Sequence, residues 1–520
     1  MALLSFTLLI LVLFMVSRAA QHFVYRRRYP PGPPGYPVIG NLLDIPPTSA
    51  FKKFKEWSSI YKSDILYLNM AGKSVIVLNS IEAATDLLEK RSAIYSDRPH
   101  MTMICELMEG NRFLALAPYG DRWRAGRKLM KKHLSPSDQR ATQARQIDFV
   151  RRFLLSSIRD SPEAFLRHIR NTVGGTMLSI AYGLRIKRWD DPWIKLAEDT
   201  LAVILSSVIP GKYLVDSVPV LKHIPSWVPG ARGFQRTAKQ GRDIIQTFVK
   251  SPYDAVKEEI RSGKALDSFV YACLEDRQRG PLQQVQAEDI ISDLAGTLFA
   301  GGTDSTSTSI INFVLAMLLY PDVQKKAQRE IDSVVGRARL PEFSDKKNMP
   351  YVAAVLKEVL RWRPVVPTGN PHASIQDDIY KGYFIPKDSI IIANAWSMLH
   401  DEDTYQNPDH FDPERYLNAR GHISFEVPDP DEIASFGFGR RRCPGAHIGL
   451  SSLWITAVSL LACFDICNEL DECENEIPPR MEYLGKTVVH IPESFNCRFI
   501  PRHESTDQLI LSPRYDSEYI

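Results

Sequence analysis

The chain has 520 residues and is 44% hydrophobic, enough to bury a large core. Its 64 Lys and Arg nearly cancel its 61 Asp and Glu, which argues against a polyanionic partner and so against nucleic acid. The seven cysteines are few, odd in number and without a Cys-x-x-Cys pair, so they form neither a disulfide framework nor a tetrahedral zinc site.

In chain order, residues 2–17 are uncharged and mostly apolar, and Arg26, Arg27 and Arg28 follow shortly after. With Arg18 snorkelling, the apolar stretch through Tyr25 reaches the ~20 residues that a membrane span needs. The arginine triplet places the C-terminal side in the cytosol. A cleaved signal peptide is the rival, disfavoured by the lack of basic residues before the apolar run. Residues 1–28 are therefore expected to be a transmembrane anchor. Pro30, Pro31, Pro33, Pro34 and Pro37 make residues 29–37 a stiff hinge. A main domain is expected over 38–503 and a frayed tail over 504–520; the chain has no Asn-x-Ser/Thr sequon.

Within the body, apolar spacings of three and four predict helices over 323–335 and 351–363, and short β-branched runs predict strands at 65–68, 74–78 and 389–393. The fold class is mainly α with minor β. Trp123 and Arg127 set an indole donor and a guanidinium one helical turn apart, a pairing suited to carboxylates. An apolar helix over 290–319 contains Gly301-Gly302-Thr303-Asp304-Ser305-Thr306, poor helix-interior residues. Either the helix is locally opened there and frees carbonyls for water, or it packs closely through its glycines while its hydroxyls bond back to the preceding turn. Glu358 and Arg361 stand three apart on one helical face, a spacing that is by itself most often a solvated pair.

The most informative stretch is Phe436-Gly437-Phe438-Gly439-Arg440-Arg441-Arg442-Cys443-Pro444-Gly445, just before an apolar helix over 446–464. Nearby cations and a helix N-terminus both favour a thiolate at Cys443. The two glycines permit positive φ and close approach of a flat ligand. Iron ligation is one of the few uses for a single isolated thiolate.

With Phe-x-x-Gly-x-Arg-x-Cys-x-Gly complete, the chain resembles the cytochrome P-450 family of haem-thiolate monooxygenases. The resemblance implies that family's fold with an N-terminal transmembrane helix. It also implies a heme b whose iron is ligated by Cys443, with Trp123, Arg127, His372 and Arg441 meeting the propionates. A solvent-exposed histidine is the alternative at His372. The segment ending in Thr306 resembles the family's oxygen-binding helix: Asp304 is the acid, and Ser305 holds the position usually occupied by threonine. Whether Ser305, Thr306 or both order the proton-relay water stays open. Glu358 and Arg361, joined by Arg415, are implied as scaffold.

The function implied is insertion of one oxygen atom of O2 into a lipophilic small molecule, with electrons from NADPH through an NADPH-cytochrome reductase, at the endoplasmic reticulum membrane. A xenobiotic-oxidising enzyme, a peroxide-using enzyme or isomerase, and a non-catalytic haem-binding protein are the rivals. The wording of the chain is similar to fungal secondary-metabolism members related to mycotoxin-pathway oxidoreductases, so terpenoid, indole and polyketide substrates fit. The pocket is expected from residues 101–117, 298–302, 365–369 and 484–488. Val208, Ile209, Tyr213, Leu214, Val218, Leu221 and Trp227 form an expected second membrane contact. Lys128, Lys131, Lys132 and Arg440 form an expected basic docking face for the reductase.

Overall fold

The computed structural model describes residues 28–137, 139–187, 191–209, 211–228, 231–278, 284–483 and 488–511. The expected anchor, apart from Arg28, lies outside them, as do residues 484–487 of the expected pocket and 512–520 of the tail. The chain divides into two compact units.

The smaller unit comprises residues up to His100, Pro367–Met398 and Gly437–Arg442. Helix α1 (Ala50–Tyr61) precedes β1 (Ile65–Met70) and β2 (Lys73–Leu78). These strands pair antiparallel through Ala71 and Gly72, both at positive φ, the geometry of a two-residue hairpin turn. Val75 to Leu78 are all buried because β2 is flanked by β1 and, in parallel, by β6 (Ile390–Ala393). The short β3 (His372–Ala373) pairs with β6, and β4 (Asp378–Tyr380) with β5 (Tyr383–Ile385). All three predicted strands are present, within a residue or two at their ends. The proline-rich stretch does not stand free. Tyr29 stacks on Tyr67 with ring centroids 4.3 Å apart, and the Tyr67 N–H donates to the Pro31 carbonyl at 3.0 Å. Prolines cannot offer a ladder of donors, but their carbonyls still accept, so the segment lies along the β1 edge.

The larger unit is helical. It contains α2 (Asp121–His133), α3 (Arg140–Phe149), α4 (Phe165–Tyr182), α5 (Pro192–Ser207), α6 (Ala231–Arg261), α7 (Gln284–Leu319), α8 (Pro321–Val335), α9 (Pro350–Trp362) and α10 (Ala446–Cys463). A sheet of β7 (Phe464–Leu470), β8 (Glu476–Ile477) and β9 (Cys497–Pro501) follows, then α11 (Thr506–Leu511). Among the described residues α10 is the one single helix long and apolar enough to cross a membrane, and it is mostly buried, as a core helix is. In α11, Thr506 and Ile510 are buried, so the tail begins docked rather than frayed.

Helix α7 is continuous, so the expected local opening is not seen; the alternative reading of its sequence holds. Thr303, Ser305 and Ser307 donate to the carbonyls of Phe299, Gly301 and Thr303 at 2.6, 2.7 and 2.6 Å. A Cβ on Gly302 would lie 2.6 Å from the Met177 sulfur, and one on Gly174 would lie 3.5 Å from Thr303 Cγ2, so α4 and α7 approach closely through small residues. Gly301 differs: it is exposed within a mostly buried helix, and nothing lies within 4 Å of its Cβ position.

Candidate active site

The cysteine loop adopts the expected strained turn, with Gly437 at φ 75° and Gly439 at φ 51°. A side chain at Gly439 would meet the Leu88 carbonyl oxygen at 2.1 Å, so only glycine fits. Within the larger unit, the Cys443 N–H donates to the Phe436 carbonyl at 2.8 Å and closes the loop. The Cys443 residue is exposed, two positions before the Gly445 N-cap of α10. Cys105, Cys273, Cys463 and Cys497 are buried, and burial raises their thiol pKa values.

In the same unit, α2 carries Trp123 and Arg127. Trp123 is buried, and the Arg127 guanidinium lies over its ring, 5.6 Å from the centroid. Burial lowers the Arg127 pKa, and the charge of Cys443 opposes that shift. This places the guanidinium within electrostatic reach of the thiolate.

The smaller unit holds a second cluster. The Arg441 Nε–H donates to the Ser96 carbonyl at 2.7 Å, and Arg98 donates to the carbonyls of Asn370 and Pro371, each at 2.7 Å. Burial, with the neighbouring Arg441, pushes the Arg98 pKa down to about 9. His372 is buried, which excludes the exposed alternative, and its Nδ1 lies 2.8 Å from the Tyr95 carbonyl. Burial first, then Arg98, lowers its pKa to about 3, so the ring is neutral. With its Nδ1 proton on the Tyr95 carbonyl, its Nε2 is an acceptor and needs a second proton to serve as a donor. Sequence reasoning missed Arg98. Its Asp-Arg-Pro context carries no periodicity, and only the fold brings it beside Arg441.

Asp304 lies on α7 with one carboxyl oxygen, Oδ2, buried and without a hydrogen-bond partner among the described groups. Burial raises its pKa, Arg170 opposes the rise, and Glu198 adds to it. The structure separates the two hydroxyls that follow. Ser305 bonds to the Gly301 carbonyl beside the open space, whereas Thr306 is buried with its Oγ1 3.7 Å from the Cβ position of Gly449 on α10.

Glu358 and Arg361 are fully buried rather than solvated. Arg361 clamps Glu358 through two bonds of 2.6 and 2.7 Å and donates to the carbonyls of Leu399, Pro408 and His410. Arg415 reaches Glu358 at 3.2 Å. On α2, Lys128 and Lys131 are exposed, but Lys132 is engaged by Asp276, which removes it from a free basic face.

Within the larger unit, the exposed Cys443 thiol, Arg127 over the Trp123 ring and the exposed backbone at Gly301 are residue types that suit a haem iron and its carboxylates. Within the smaller unit, the buried guanidiniums of Arg98 and Arg441 are likewise of a type that suits carboxylates. The chain belongs to the cytochrome P-450 family, whose model matches residues 30–494. Membership implies a monooxygenase with a haem held by a cysteine thiolate, together with O2, a small-molecule substrate and a redox partner.

Among its relatives, cytochrome P-450 monooxygenase ple1 of Rhodocybe pseudopiperita is 41% identical over 93% of this chain and 92% of its own. Cytochrome P-450 monooxygenase 98 of Postia placenta is 42% identical over the same shares. Tryptamine 4-monooxygenase of Psilocybe cyanescens is 38% identical over 92% of this chain and 94% of its own.

Proposed function

We propose that this chain is a membrane-anchored monooxygenase of secondary metabolism, inserting one atom of O2 into a lipophilic terpenoid, indole or polyketide. The observation that carries the proposal is Cys443, exposed at the end of its glycine turn within reach of the Arg127 charge. Cys443 would ligate the iron, with Trp123 and Arg127 of the same unit offered to the propionates; in the other unit, Arg98, Arg441 and His372 are the residues offered to them. When bound, the haem supplies the iron at which O2 is reduced and from which one oxygen atom passes to substrate. Two electrons and two protons accompany each turnover, and the second oxygen atom leaves as water.

Asp304 is assigned the role of proton donor, which the burial-raised pKa of its carboxyl supports. Ser305 is the better placed hydroxyl, since its bond to Gly301 holds it at the open face of α7. An indole substrate gains support from the relative named as a tryptamine 4-monooxygenase. NADPH would supply the electrons through an NADPH-cytochrome reductase, guided by Lys128 and Lys131. We place residues 1–28 as a single-pass anchor in the endoplasmic reticulum membrane, with 38–503 in the cytosol.

Cys443→Ser tests the assignment. The carbon-monoxide complex of the reduced protein should lose its long-wavelength Soret band, and reductase-dependent NADPH consumption should stop. A retained band would move the ligand to another cysteine.

A further inference from the structure

Asp293 is a buried carboxylate on α7 whose side chain is 4% exposed, eight residues before Gly301. It receives two guanidiniums from different segments. Arg112 Nε donates to Oδ1 at 2.7 Å, and Arg122, in the first turn of α2, donates to Oδ2. One turn further along α7, Thr297 Oγ accepts the Leu114 N–H at 3.1 Å and donates to the Asp293 carbonyl at 2.8 Å. The same loop is tied to α6, where Gln246 donates to Glu109 at 3.0 Å and Arg242 to the Leu107 carbonyl at 2.8 Å. The α2–α7 contact beside this clamp is tight: a Cβ on Gly126 would lie 3.1 Å from Leu294 and 3.5 Å from Leu114.

Burial alone would disfavour the ionised carboxyl, and two arginines oppose that tendency. The arrangement therefore holds an ion triad where apolar packing would be simpler. Replacing such a triad by apolar residues is often neutral or stabilising, so net stability alone does not account for it.

We propose that Asp293 is a positioning residue. It references the loop 109–114 and the first turn of α2 to the central helix about 12 Å from Gly301, at 1.5 Å per residue. On the haem reading, it thereby sets the width of the substrate pocket expected from residues 101–117 and 298–302, and the size of molecule that this pocket accepts. This rests on the haem reading above, and the test separates the two.

Ferric holoenzyme is titrated with imidazole, which needs only the iron, and with 4-phenylimidazole, which also needs the cavity wall. Both are read by the Soret shift. In Asp293→Asn the Kd for 4-phenylimidazole should rise roughly tenfold, the scale of one lost charged hydrogen bond. That for imidazole should stay within about twofold, and Asp293→Glu should recover part of the loss. Arg112→Gln, which leaves the Arg122 bond in place, should act in the same direction and decides the matter if Asp293→Asn fails to take up haem. Equal shifts for both ligands, or none for either, overturn the positioning role. Failure of the unaltered protein to take up haem, seen as no Soret band at all, would instead overturn the haem reading.

Discussion

At Gly439 a missing side chain matters more than most side chains present. Its φ of 51° and the Leu88 oxygen 2.1 Å from its Cβ position make any substitution strained. Gly445, nearby in the same decapeptide, has nothing within 4 Å of its Cβ position. Gly439→Ala should therefore lower the melting temperature and the haem content, with strain and clash together costing about 2–3 kcal/mol, while Gly445→Ala should leave the melting temperature of the haem-free protein near the parent value. Asp304 has the opposite character, since its burial is a cost that the proposed proton-donor role would explain. Because its folded pKa is raised, its contribution to stability is present below the ordinary carboxylate range and is lost as pH rises through the raised value. Asp304→Asn should melt higher than the parent at pH 7, and that gain should vanish on acidification below the usual aspartate pKa. Its NADPH consumption should become slow or unproductive. The decapeptide singled out Cys443 and Arg441 in the sequence as candidates, and their roles remain proposals. Arg98 and Asp293 were not legible there, because a lone buried charge has no local pattern; its partners come from segments far away in the chain.

Among the elements, α9 shows most directly how context decides an ion pair. Three residues apart on a helix, Glu358 and Arg361 would be worth a few tenths of a kcal/mol in water. Here both are fully buried, and Arg361 also satisfies three loop carbonyls. Glu358→Gln would strand two guanidiniums and should cost about 3–5 kcal/mol. Thermal unfolding and the yield of haem-loaded protein check this expectation. The strands and long helices were legible because apolar periodicity and β-branched runs act locally. The state of α7 was not. The same glycines and hydroxyls serve an opened helix or a closely packed one, and the choice lies with Met177 and Gly174 on α4.

For the whole molecule, the proposed membrane anchorage makes the 208–227 segment worth testing. Of the apolar residues expected to form a second contact, Leu214, Val218 and Trp227 are exposed, joined by Val220, which the sequence reading did not single out. Val208, Tyr213 and Leu221 instead pack against the core. Partial exposure of a 208–227 segment is what periodicity alone cannot resolve, since short turns lack a stable face. Deleting residues 1–28 should leave a protein that still sediments partly with vesicles, and Trp227→Ala with Leu214→Ser in that background should release most of it. A deletion product that never sediments would remove this surface from the membrane. The distribution of thiols has a consequence for the history of the molecule before its cofactor arrives. Four cysteines are buried, whereas Cys443 and Cys473 are exposed. An exposed thiol is open to oxidation, and once a sulfur reaches the sulfinic stage no ordinary reductant restores it. If Cys443 is the iron ligand, a chain oxidised there before it binds haem would be lost as enzyme, so haem supplied during synthesis should raise the active fraction.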